Sequence, residues 1–137
     1  MSEGFSIDEL EVGQSASMSK TVTEADVVLF AGVTGDFNPA HVNEEYAKES
    51  MFKGRIAHGM MSAGFISAVL AMKLPGPGTI YLGQTLQFKA PVRIGDTVTA
   101  TVTVSEINVE KKIVKLDTVC TVAGKPVVKG DCTMMKP

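Results

Sequence analysis

Between positions 59 and 74 the chain carries a single charged residue, Lys73, in the run Gly-Met-Met-Ser-Ala-Gly-Phe-Ile-Ser-Ala-Val-Leu-Ala-Met-Lys-Leu. The run falls short of the ~20 apolar residues that a membrane-spanning helix needs. It predicts a helix within the fold, apolar on every side and therefore enclosed on every side. Ser62, Ala63, Gly64, Ser67 and Ala68 are small enough for neighbouring backbone to pack close against it. The rest of the chain has to wrap this helix.

The residues that follow supply the wrapping. Ile80, Leu82, Leu86 and Phe88 share one face of a predicted strand. Val98, Ala100, Val102 and Val104 share one face of the next, with Thr97, Thr99, Thr101, Thr103 and Ser105 on its other, wet face. Val114, Leu116, Cys120 and Val122 continue the pattern, then Val128, Cys132 and Met134, with Ala123-Gly124-Lys125 as the hairpin turn between them. Upstream, residues 15–22 read as a first strand. Thr23 then caps a helix, Asp26 completes a capping-box-like start, and Gly35 stops it after Val27, Phe30, Ala31 and Thr34. Asn43 opens a short second helix with Glu44 and Glu45 in its first turn.

Helices before Pro75-Gly76-Pro77-Gly78 and strands after it predict an α+β fold, an antiparallel sheet wrapped around one long buried central helix. The edges of such a sheet stand open in a lone chain. A homodimer or higher even oligomer is therefore expected.

A length of 137 residues suits one domain over positions 1–137. With 45% hydrophobic and 20% charged residues, the chain is of a folding rather than a disordered kind. A net charge of -2 without a Lys/Arg cluster argues against a nucleic-acid partner. The acidic start Met1-Ser2-Glu3-Gly4-Phe5 lacks the basic and apolar regions of a secretory signal, so a cytoplasmic protein is expected. Cys120 and Cys132 match no redox spacing and read as free thiols of a reducing compartment. Two histidines and two cysteines without paired spacing make no zinc site.

The chemistry concentrates in Gly35-Asp36-Phe37-Asn38-Pro39-Ala40-His41-Val42-Asn43. Asp36 and His41 lie ~140° apart on a continuous helix and on opposite faces of a strand, so they converge only where the chain bends. Gly35 permits such a bend, and Pro39 drives Asn38 into an extended form. Two readings are open at this point. Gly-Asp and Asn-Pro are ordinary turn residues, with Asp36 capping locally and His41 solvated. A carboxylate beside an imidazole is also an acid–base pair suited to neutral pH.

A second cluster, Arg55-Ile56-Ala57-His58-Gly59, precedes the apolar helix. The first amides of that helix lack internal partners, and Gly59 would let a carbonyl oxygen that gains negative charge come close. On the plainer reading, His58 and Gly59 only shape the helix entry. Ser67 reads as a packing residue bonded to its own helix, with no base beside it to make a nucleophile. Lys89 and Arg93 can meet an anionic ligand tail, or serve as solvated surface. Met60, Met61, Met72, Met134 and Met135 read as core filler.

Three stretches carry a family resemblance: residues 35–41, then His58-Gly59-Met60, then Tyr81-Leu82-Gly83-Gln84 through Phe88-Lys89-Ala90-Pro91-Val92, supported by Gly95-Asp96-Thr97-Val98. The chain resembles the (R)-specific enoyl-CoA hydratases, of the MaoC-like dehydratase group in the hotdog-fold superfamily. The likeness runs from about Val12 to Thr133, and the Asp-Phe-Asn-Pro-x-His loop is its most specific part.

The resemblance implies reversible syn addition of water to a trans-2-enoyl-CoA, giving an (R)-3-hydroxyacyl-CoA. It implies Asp36 as base on the water, with His41 holding that water and moving the proton toward the α-carbon. It sets Ser67 against the aspartate, gives the Gly59 amide the thioester carbonyl, and leaves Asn43 to order the loop. Phe37, Asn38, His58, Met60, Lys89 and Arg93 are the expected substrate contacts. No metal or redox cofactor is implied, since coenzyme A is part of the substrate; an acyl-carrier-protein thioester is the alternative carrier.

The needs of the reaction match these residues: a base, a proton for the α-carbon, a site for the enolate-like oxygen and an apolar slot. A hotdog thioesterase is the nearest rival. Many of those carry a carboxylate on the buried helix, where this chain has none. A dehydratase subunit of fatty-acid synthesis would run the same reaction backwards. A non-catalytic acyl-CoA-binding subunit would have no use for the Asp36–His41 pair.

Overall fold

The computed structural model describes residues 4–137. A single 3-10 turn, Ile7–Glu9, precedes strand β1 (Ser15–Thr21). Helices α1 (Glu24–Thr34), α2 (Pro39–Val42), α3 (Glu44–Ala47) and α4 (Gly59–Met72) follow. Strands β2 (Ile80–Gln84), β3 (Gln87–Phe88), β4 (Thr97–Asn108), β5 (Ile113–Val122) and β6 (Lys125–Met135) complete the chain. The strands form one antiparallel sheet in the order β1-β4-β5-β6-β2, with β3 also on β6. This is the α+β hotdog architecture: one antiparallel sheet packed against one long helix. Among the described residues no helix is long and apolar enough to cross a membrane.

Alternation along β4 makes the inner face. Val98, Ala100, Val102 and Val104 are buried, and they meet Ile66, Val69 and Leu70 of α4 in one core with Val114, Leu116, Cys120 and Met134. Burying each Val, Leu or Ile contributes ~1.5–3 kcal/mol. The outer face of β4 carries the threonines, which join β1 through Ser19–Thr99 at 2.8 Å and Thr21–Thr97 at 2.7 Å. Residue 123 at φ 50° and Gly124 at φ 79° form the two-residue turn between Val122 and Lys125.

The start of α1 is as expected: the Thr23 hydroxyl accepts from the Asp26 amide at 3.1 Å, and the Asp26 carboxylate accepts from the Thr23 amide at 2.9 Å. Lys20, 2.6 Å from the Asp26 carboxylate, holds its pKa below the ordinary value, and the Thr23 amide adds to this.

Three expectations need correction. The apolar helix is not enclosed on every side: Met60, Gly64, Ala71 and Met72 are exposed, and only the face with Met61, Ser62, Ile66, Val69 and Leu70 is buried. One sheet covers one face of a helix, so the opposite stripe stays open in a single chain. Met60 and Met72, read as core filler, are 56% and 69% exposed for this reason. Ile80, Leu82, Leu86 and Phe88 do not share a buried strand face either. The strand breaks into β2 and β3 with a register shift after Tyr81, and all but the half-buried Leu86 are exposed.

Both cysteines are buried, and burial pushes their thiols up to about 12. The reactive thiolate is therefore scarce near neutral pH. An alkylating reagent at pH 8 should leave both unmodified in the folded protein and modify both in denaturant, as read by mass spectrometry.

Candidate active site

The bend that joins Asp36 to His41 is built from side-chain caps. Helix α1 ends on Gly35 in the left-handed region, φ 81°, with its amide on the Ala31 carbonyl at 2.8 Å. The Thr34 hydroxyl donates to the Phe30 carbonyl at 2.7 Å and accepts from the Asp36 amide at 3.1 Å. One carboxylate oxygen of Asp36 accepts from the Asn38 amide at 3.1 Å. Asn38 in turn caps α2 through the Ala40 amide at 3.0 Å, and Pro39 opens that single turn. The turn and the approach of His41 to Asp36 are thus one object. The side chains that make ordinary turn bonds also carry His41 round to Asp36.

His41 is 9% exposed, which removes the solvated reading. Its Nδ1–H donates to the Ile56 carbonyl at 2.8 Å, leaving Nε2 as the acceptor. The Ile56 carbonyl is itself held, because the Ile56 amide donates to Ala40 at 3.2 Å and the Ala57 amide to Val92 at 2.7 Å. Arg55 fastens the arrangement: Nε donates to the His41 carbonyl at 2.6 Å, and a guanidinium nitrogen meets Glu24 at 2.8 Å. Arg55 and the Ile56 carbonyl were not singled out from sequence for this purpose. Their partners lie 14 to 31 residues away, and no local pattern reports such pairs.

His58 caps the start of α4 by position but makes no side-chain cap bond there. Its Nε2–H donates to the Asp36 backbone carbonyl at 2.9 Å. Its ring stacks on His41 with centroids 4.0 Å apart and planes at 29°, and lies 4.8 Å from Phe30. Ligand atoms of Asp36, His41 and His58 come within 4.8 Å of one another, a trio of cation-binding types. Two of its four ring nitrogens donate to carbonyls, however. Stacking confines the remaining lone pairs to separate, nearly parallel layers, a poor match to one tetrahedral ion.

Two cavities of about 600 Å³ each meet at this cluster, and Asp36 and Met60 line both. The first also takes in His41, His58, Gly59, Phe88 and Lys89. The second takes in Ser67, Thr34, Tyr81 and Gln84. Ser67 thus shares a cavity wall with Asp36. Burial pushes the Tyr81 hydroxyl up to about 12, so it stays protonated and donates to Gln84 Oε1. Phe37 is 60% exposed and lines neither cavity. Asn38 and Asn43 are occupied as caps of α2 and α3. The guanidinium of Arg93 donates to the Gly54 carbonyl at 3.3 Å, away from both cavities.

Gly59 is the first residue of α4, where an amide has no intrahelical acceptor. A Cβ there would lie 2.7 Å from the Phe88 ring, so the ring covers the space a side chain would take. Overpacking of this kind costs ~1–3 kcal/mol. Gly59→Ala should lower the melting temperature, and adding Phe88→Leu should recover most of the loss in a thermal double-mutant cycle.

Comparison with known proteins bears on the family and the fold. A family model described as "MaoC like domain" matches residues 9–131. An (R)-specific enoyl-CoA hydratase of Rhodospirillum rubrum is 63% identical over 130 residues, covering 95% of this chain and 90% of that protein. A 3-hydroxybutyryl-CoA dehydratase of Methylorubrum extorquens is 45% identical, covering 95% and 83%. The unliganded R-hydratase PhaJ1 of Pseudomonas aeruginosa superposes with a TM-score of 0.92 at 47% identity, over 98% of this chain and 86% of that one. By sequence and by fold, the chain belongs to the MaoC-like family.

Proposed function

We infer that the chain is an (R)-specific enoyl-CoA hydratase, adding water reversibly and syn across the double bond of a trans-2-enoyl-CoA to give the (R)-3-hydroxyacyl-CoA. The observation that carries this reading is the Asp36 carboxylate and the His41 ring on one cavity wall, close enough for a single water to span, beside the free amide of Gly59. The identity to the R. rubrum hydratase across most of both chains supports the same reaction.

The steps follow from the donors and acceptors. Asp36 and the Nε2 of His41 are both acceptors, so together they take the two O–H bonds of one water and leave its lone pair free. Oxygen attacks C3 as Asp36 withdraws a proton, and the π electrons pass through C2 to the thioester oxygen. The Gly59 amide and the positive end of α4 stabilise that enolate oxygen. The proton then goes to C2 on the same face, through the Asp36–His41 pair. The reaction requires no metal or redox cofactor; coenzyme A enters and leaves with the substrate. Lys89, on the rim of the first cavity, suits its phosphates. A cytoplasmic location fits a coenzyme A thioester.

The hotdog thioesterase lacks support because Gly59–Met72 holds no carboxylate. Dehydration of a 3-hydroxyacyl thioester is the same reaction reversed. We also propose that two copies pair through the open stripe of α4, Met60, Gly64 and Ala71, together with the edge strand β2, whose Ile80, Tyr81 and Leu82 are exposed and whose Tyr81 shares a cavity wall with Met60 and Gly64.

Hydration of crotonyl-CoA, followed by loss of enoyl absorbance, tests the reaction. Asp36→Ala and His41→Ala should each lose about a hundred- to ten-thousand-fold in kcat. Ser67→Ala should lose less, and treatment with EDTA should leave the rate unchanged. Wild type that releases free thiol instead of consuming the double bond would reverse the assignment. Sedimentation should give an even oligomer, and Ala71→Arg with Leu82→Lys should give a monomer.

A further inference from the structure

We propose that His58 is a positioning residue that sets Asp36, His41 and the Gly59 amide in register with one another. The proposal rests on the hydratase reading above for its kinetic consequences, though its geometry stands apart from that reading.

His58 is 2% exposed, and it is the residue through which the parts of the site touch. Its Nε2–H holds the Asp36 carbonyl at 2.9 Å. Asp36 is otherwise on an exposed turn, so that bond is its tie to the buried framework. The face of the His58 ring meets His41 at 4.0 Å. His41 is held at its edge by Ile56, a single bond about which the ring can still swing; the stack blocks that swing. Phe30 packs against His58 at 4.8 Å. His58 is also bonded directly to Gly59, so the same backbone that orients its ring aims the first amide of α4.

The polar atoms of the ring fit this use better than a substrate contact. With Nε2–H spent on a carbonyl, Nδ1 carries the lone pair, and it is buried without a hydrogen-bond partner. The ring is therefore held in one tautomer, as a donor on one side and a flat surface on the other. A misplacement of ~1 Å in a catalytic group can cost about a hundredfold.

Two variants separate the functions of the ring. His58→Gln keeps an N–H near the position of Nε2 and loses the flat surface. His58→Phe keeps the surface and leaves the Asp36 carbonyl unpaired. In crotonyl-CoA hydration, His58→Phe should lose about a hundredfold in kcat and His58→Gln about tenfold, both with KM within about threefold of wild type. Partial rescue by Gln is the mark of the carbonyl bond. Wild-type kcat in both variants, or a loss confined to KM, would overturn the proposal. Histidine NMR with 15N labelling on wild type provides a readout independent of activity and of variant folding. It should show the proton on Nε2 of His58 and on Nδ1 of His41. A proton on Nδ1 of His58 would sink the proposal, whereas an inactive wild type with the expected tautomers would sink only the hydratase reading.

Discussion

The packing of one face of α4 against β4 governs the rest of the molecule. Ile66, Val69 and Leu70 are fully buried against Val98, Ala100 and Val102, and the Cys120 thiol reaches the Ser62 carbonyl at 3.5 Å. At ~1.5 Å per residue a helix is a rigid lever, so fixing its buried face fixes where its first turn lies. That turn holds His58 and Gly59. The placement of the Gly59 amide is therefore set by apolar burial further along the helix, while Asp36 and His41 are held by the hydrogen bonds of their own loop and of residues 55–58. This division suits an enzyme whose reacting groups must stay open to substrate.

Much of this was legible in the sequence, and the reasons differ by element. The inner and outer faces of β4 follow from strict alternation of valine or alanine with threonine, a local pattern that tertiary packing had no reason to override. The capped start of α1 and its left-handed stop at Gly35 follow from side chains that bond within four residues. By contrast, the burial of α4 was overread. Absence of charge says that a surface will be covered, but not by which chain. The break between β2 and β3 was missed because apolar residues at period two describe a continuous strand as well as an interrupted one.

The same distinction holds at the site. A bend between Asp36 and His41 was required by Gly35 and Pro39, and the bend is there. Its form as a one-turn helix depends on the caps from Asn38 and Asn43, which spacing alone does not distinguish from a loose turn. The burial of His41 depends on Arg55 and Ile56, whose bonds to it span 14 and 15 residues. His58 had two sequence readings, helix entry and substrate contact, and its bond to the Asp36 carbonyl spans 22 residues. Long-range bonds between polar groups leave no periodic trace in a sequence, so these roles emerge only once the chain is folded.

Catalysis and assembly then pose one problem. Asp36 is exposed in the single chain, where water at high dielectric weakens every interaction a base or an oxyanion amide can make. Asp36 and Met60 stand where the two cavities meet, and the second cavity runs along the uncovered stripe of α4 toward the edge strand β2. A second copy seated on that stripe would wall off the second cavity and shield the carboxylate from one side, while the acyl thioester shields it from the other. The small residues of the stripe, Ala63, Gly64 and Ser67, allow the close approach this requires. On this view the open face of α4 is not a defect in the packing of a monomer. On the pairing proposed above, it is the part of the active site that a second copy completes.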